Sequence, residues 1–177
     1  FMTLRGGMSR LIDALGNSLP SDNVRLNSRV SDLSKDDDGW LIRTEDGQAS
    51  HADAVIVASP ANHASAMLRR VDTKMARRLS NIQYASCAVV SLAFRRDQIK
   101  TAIDSFGFVV PHIENHFILS CSFSSEKYDG RAPDGTILMR VFIGGAMQPG
   151  LLRMPDQQLI ELAHWELAKL MDIEGEP

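Results

Sequence analysis

The 177-residue sequence predicts an α+β protein in two parts. The first is a helix, a β-meander and a buried strand; the second is a largely antiparallel sheet flanked by helices. Three observations carry this. Apolar residues recur at helical spacing near both ends of the chain. In the second half, strand-like runs follow one another with modest connections, which favours antiparallel neighbours over βαβ winding. The stretch ADAVIVASPA, residues 52–61, holds an apolar, mostly β-branched run with no polar face, the pattern of a strand buried on both sides.

The elements follow in order. Over residues 5–20, Met8, Leu11, Ile12, Leu15 and Leu19 form one apolar face, with Ser9 as the candidate N-cap and Pro20 as the stop. The lead-in Gly6-Gly7 lacks the GxGxxG or Walker pattern that would mark a phosphate site. Short strands are expected at 24–26 and 30–33. Asp36-Asp37-Asp38-Gly39 reads as a hairpin tip, because Asp and Gly tolerate the positive φ of tight turns; the spacing is wrong for a calcium loop. Residues 40–44 pair back, Asp46-Gly47 turns again, and 48–51 leads into the buried strand at 54–58, which Pro60 ends.

Helices are expected at 62–70 and 72–80. Strands follow at 85–94, 106–111, 117–123 and 137–143. Residues 95–104 read as a polar connection, 112–116 as a loop and 124–135 as a long turn. Residues 156–171 form a last helix, with Leu159, Ile160, Ala163, Leu167 and Leu170 on one face.

Composition sets bounds. Apolar content of 44% and charged content of 23% support a core. A net charge of −3 and a pI near 5.9 exclude a general nucleic-acid binder, which needs a basic stripe. Arg69, Arg70, Lys74, Arg77 and Arg78 read as a solvated helical face. Cys87 and Cys121 form no CxxC and no metal spacing, so reduced cysteines are expected. His112 and His116 lie in a loop without HExxH, and no metal site is expected. No nucleophile-and-base pattern occurs, so no catalytic side chain is assigned. The second half does offer a wall of apolar and glycine residues, Phe106 to Val110, Phe123 and Phe142 before Gly144-Gly145. It suits a large flat apolar ligand or packing under the helices. The chain opens at Phe1 inside an organised pattern, and we expect an internal piece of a longer protein.

The succession LRGGMSRLIDAL (4–15), VRLNSRVSDL (24–33) and ADAVIVASPA resembles the flavin amine-oxidase superfamily. FGFVVP (106–111), SFSS (122–125), GRAPDG (130–135) and RVFIGGAMQPGL (140–151) are similar to its oxygen-dependent, FAD-containing protoporphyrinogen oxidases. The resemblance implies that residues 1–61 belong to an FAD-binding α/β domain and 62–177 to a substrate-binding domain. It implies oxidation of protoporphyrinogen or coproporphyrinogen to the porphyrin in heme biosynthesis. FAD takes hydride equivalents and dioxygen reoxidises it. It places Val30, Ala58 and Pro60 at FAD. It places Gly107, Val109, Ser122 and Phe142 at the porphyrinogen, although Ser122 stands where relatives carry an apolar residue. The superfamily also contains amine oxidases and carotenoid desaturases, and a flavin-free binding module is the alternative of another class. The family's GxGxxG segment is absent from these residues, so the chain alone is expected to bind FAD weakly and to be inactive. A cytoplasmic protein is implied, with peripheral contact at the cytoplasmic membrane and a homodimer both left open.

Overall fold

A computed structural model describes residues 2–177. Contacts divide the chain into two compact units. One is Gly6–Gln83; the other joins Tyr84–Pro177 to the N-terminal residues up to Arg5.

The first unit begins with α1, Ser9–Asn17. Met8 occupies its N-cap and no side chain caps it, so Ser9 is the first helical residue rather than the cap. The expected apolar face forms but is not buried: Met8, Leu11, Ile12, Leu15 and Leu19 are all exposed. The meander follows, with β1 (Val30–Asp36), β2 (Gly39–Thr44) and β3 (Ala49–Ala52) in antiparallel order β1-β2-β3. Asp37 and Asp38 make the first turn, where the Asp36 carboxylate accepts from the Asp38 N–H at 3.1 Å. At the second turn the Thr44 hydroxyl donates to Asp46 and holds its carboxyl below the usual range.

Two expected strands do not form. Residues 24–26 are irregular, with Leu26 80% exposed. Residues 54–58 are apolar but pair with no strand among the described residues, and Ile56 is 94% exposed. A strand buried on both faces needs a ladder beside it, which the run cannot supply from its own sequence.

Helices α2 (Ala61–Leu68) and α3 (Thr73–Ser80) meet through small residues. Ala64 and Ala76 are buried, and the buried Ser65 hydroxyl donates to the Ala76 carbonyl at 2.8 Å. Asp72 caps α3 by accepting from the Met75 N–H.

The second unit is a four-stranded antiparallel sheet with one long helix. The strands are β4 (Cys87–Arg95), β5 (Gly107–Val109), β6 (Ile118–Phe123) and β7 (Thr136–Gly144), in spatial order β4-β7-β6-β5. A short helix, α4 (Ser124–Lys127), opens the turn after β6. The long helix is α5, Asp156–Met171. Alternation decides the faces. Ile137, Met139, Val141 and Ile143 of β7 join Val90, Leu92 and Phe94 of β4, Cys121 and Phe123 of β6, and Leu159, Ala163, Leu167 and Met171 of α5 in one core. Phe108 reaches the same core and meets Phe123 edge-on at 6.0 Å between centroids. On α5 the buried stripe takes Met171, while Ile160 is 39% exposed.

Candidate functional site

The face of the sheet away from α5 has a different character. Its residues are the alternate positions: Cys87, Val89, Ser91, Ala93 and Arg95 on β4, Thr136, Leu138, Arg140 and Phe142 on β7, Ser120 and Ser122 on β6, Gly107 and Val109 on β5. Directly paired residues of antiparallel strands present their side chains on one side. The register pairs Gly107 with Ser122 and Ser122 with Arg140. It pairs Val109 with Ser120 and Ser120 with Phe142. All four residues expected at the substrate, Gly107, Val109, Ser122 and Phe142, therefore share this face.

Their surroundings are chemically distinct. Val109 is 79% exposed. The Arg140 guanidinium carbon stands 5.9 Å from the Phe142 ring centre, a cation over an aromatic ring. Gly107 has φ +136°, and a Cβ there would lie 2.2 Å from the Cys121 carbonyl oxygen. The β5–β6 pairing by itself therefore requires glycine at that position. Cys121, beneath the sheet, is inert: burial pushes its thiol up to about 12. Cys87 is exposed, and both cysteines are free.

In the Gly6–Gln83 unit, Val30 opens β1 beside a register irregularity between Val30 and Asp32. No strand lies on the other side of β1 among the described residues. Edge backbone of this kind can hydrogen-bond a ligand without help from side chains. Ala58, Ser59 and Pro60 are exposed and lead into α2, whose N-cap is Pro60. Small side chains on extended backbone allow a planar group to approach closely. These features fit a cofactor that Val30 would meet through edge backbone and Ala58 and Pro60 through packing, since Pro60 has no N–H and its carbonyl accepts from the Ala64 N–H at 3.0 Å.

One arrangement escaped the sequence reading. Glu166 of α5 is 1% exposed. One carboxylate oxygen lies 2.6 Å from His116 Nδ1, and the other accepts from the Phe117 N–H at 2.7 Å. The Gln148 amide donates to the His116 carbonyl at 2.8 Å. His116 is thus tied to the core helix. The available signal was Glu166 itself, seven residues after Leu159 and inside the apolar stripe, where a carboxylate needs a partner. Among the described residues no group of three or more His, Cys, Asp and Glu side chains is placed to hold a metal.

The profile of the flavin-containing amine oxidoreductases matches residues 1–177. The chain belongs to that family. Within it, the chain is 36% identical over its full length to a coproporphyrinogen III oxidase of Propionibacterium freudenreichii, covering 33% of that protein. It is 31% identical to the mitochondrial protoporphyrinogen oxidase of Nicotiana tabacum, over 97% of the chain and 37% of the relative. A crystal structure from Exiguobacterium sp. 255-15, assigned by name to protoporphyrinogen oxidase, superposes with a TM-score of 0.80 at 26% identity. That match covers 97% of this chain and 37% of the other. The chain spans about a third of the length of the curated relatives it matches.

Proposed function

We propose that the chain is part of an FAD-dependent oxidase that converts a porphyrinogen to the porphyrin, a step of heme biosynthesis. Residues 1–61 belong to its FAD-binding domain and 62–177 to its substrate-binding domain. When bound, FAD accepts hydride equivalents from the substrate, and dioxygen reoxidises it to give hydrogen peroxide. Val30 contributes backbone to the adenosine part; Ala58 and Pro60 lie on the flavin side.

The sheet face does the orienting. Val109 and Phe142 supply apolar contact for the pyrrole rings of the macrocycle, and Gly107 keeps the backbone low beside them. The reaction removes hydride equivalents from carbon and needs no nucleophile from these residues. The observation that carries the reading is this sheet face with Gly107, Val109 and Phe142 together on it, in a chain similar along its whole length to porphyrinogen oxidases. Among the described residues no helix is long and apolar enough to cross a membrane; a cytoplasmic location with peripheral membrane contact, and a homodimer, belong to the proposal.

The test uses the full-length protein with FAD, supplied with protoporphyrinogen or coproporphyrinogen under air. Porphyrin fluorescence rises faster than the spontaneous rate, and only with FAD. A flavin-loaded protein that leaves both substrates at the spontaneous rate would overturn the reading.

A further inference from the structure

Across the middle of this sheet face runs a polar row. Gly107 of β5 pairs with Ser122 of β6, Ser122 with Arg140 of β7, and Arg140 with Ser91 of β4. Opposed residues place their Cβ atoms about 5 Å apart on the same side. A guanidinium is thus flanked by a hydroxyl on each neighbouring strand. The next row is Val109, Ser120, Phe142 and Val89, largely apolar. Arg140 is exposed, and its charge is uncompensated: it enters no ion pair among the described residues, and its contact is with the Phe142 ring.

We propose that Arg140, with the Ser122 and Ser91 hydroxyls, is a carboxylate subsite that receives a propionate of the tetrapyrrole and makes coproporphyrinogen the preferred substrate. The inference rests on the proposed porphyrinogen oxidation and deepens it. The chemistry follows from the row. A guanidinium presents a planar fork of N–H donors that matches a carboxylate, and flanking hydroxyls donate to the remaining lone pairs. Phe142, one row along, holds the guanidinium over its ring and offers its own surface to the macrocycle. Ser122 then makes sense as a partner of the carboxylate. The two porphyrinogens differ where this matters. Coproporphyrinogen carries four propionates; protoporphyrinogen carries two, with vinyl groups in place of the others. Coproporphyrinogen has a propionate on every ring and presents one to Arg140 in every orientation; protoporphyrinogen has them on two rings only and otherwise sets a vinyl-bearing ring there, which would leave the guanidinium desolvated and unpaired. A propionate hangs from a pyrrole carbon and not from the bridging carbon that loses hydride, so a contact with it acts as uniform binding, felt in KM more than in kcat.

The experiment compares the full-length, FAD-loaded wild type with Arg140→Met and Arg140→Lys. Steady-state rates are measured with each porphyrinogen under air. Binding of coproporphyrin III and of its tetramethyl ester is followed by fluorescence. For Arg140→Met the expected result is a KM for coproporphyrinogen raised about tenfold with kcat within twofold, and a smaller change for protoporphyrinogen. Coproporphyrin binding weakens by about the same factor, whereas binding of the ester, which has no carboxylate, does not change. Arg140→Lys keeps the charge without the fork and falls between; it carries the test if the methionine variant does not accumulate. Equal KM values in wild type and variants, with porphyrinogen oxidation intact, overturn the subsite while leaving the oxidase reading standing. A wild type that oxidises neither porphyrinogen overturns both.

Discussion

Removing the Glu166 carboxylate is a sharp test of how the β5–β6 hairpin is held to the core. Glu166 is 1% exposed on α5 and makes two short contacts, 2.6 Å to His116 Nδ1 and 2.7 Å from the Phe117 N–H. A carboxylate this deep is tolerated because both oxygens are engaged. In Glu166→Ala the imidazole loses its partner, the Phe117 N–H loses its acceptor, and a cavity opens beside Leu167. An unsatisfied donor costs about 1–3 kcal/mol, and breaking one side of a buried pair costs about 3–5 kcal/mol in all. Glu166→Gln differs. Its Oε1 still accepts from Phe117, its amide still reaches the imidazole, and the loss is about 1–2 kcal/mol as charge-assisted bonds become neutral ones. His116→Ala leaves the carboxylate buried with one donor and falls nearer the alanine variant. The assay is hydrogen exchange at the Phe117 amide, with urea unfolding of the full-length protein alongside. A local loss of about 3 kcal/mol accelerates exchange roughly 100-fold. A His116→Ala, Glu166→Gln cycle should show coupling above about 1 kcal/mol. Equal exchange rates in the Ala and Gln variants, or a cycle that adds without coupling, would refute the reasoning.

Four further outcomes follow from the same sheet. Gly107→Ala forces a Cβ to 2.2 Å from the Cys121 carbonyl at φ +136°, so β5 should separate from β6 at a cost of about 3 kcal/mol or more, read as lost exchange protection in residues 107–109. Met139 is fully buried at the centre of the core, and Met139→Ala should destabilise by about 2–5 kcal/mol in urea unfolding. Cys87 should react with a thiol reagent in the native protein while Cys121 does not. The Cys121 thiol also makes stability depend on pH. Its pKa is about 12 in the fold against 9.0 as the ordinary value, so the unfolded chain ionises first. The contribution is full below pH 9 and is lost as pH rises toward 12; in a comparison with Cys121→Ala, only the wild type should show that added slope.

Elements whose burial depends on their own periodicity were legible in the sequence. α5 showed its stripe over 16 residues, and β7 alternates cleanly between Met139 in the core and Arg140 outside. Residues 54–58 were not legible in this way. Their apolar run describes what a buried strand needs but not whether a ladder stands beside it, and Ile56 is exposed. Position 166 was hidden for another reason: its partner lies 50 residues away, and nothing local announces the pairing. Ser122 looked like a departure from an apolar pattern until the register set it between Gly107 and Arg140. Register joins residues far apart in sequence, and only the folded pairing displays the row they form.

The central claim is that the sheet face bearing Gly107, Val109, Ser122 and Phe142 receives the porphyrinogen, and Val109→Asp tests it most directly. Val109 is 79% exposed, so the substitution costs little stability, about 1 kcal/mol or less for a polar residue in a strand. It sets a negative charge against a macrocycle that is apolar in its body and carboxylated at its rim. Ile113→Asp, at a residue 83% exposed in the turn after β5, is the control. With FAD-loaded full-length protein, the account predicts a kcat/KM for porphyrinogen lowered at least tenfold in Val109→Asp and unchanged in Ile113→Asp, with both variants folded. Equal activity in Val109→Asp and wild type would contradict it.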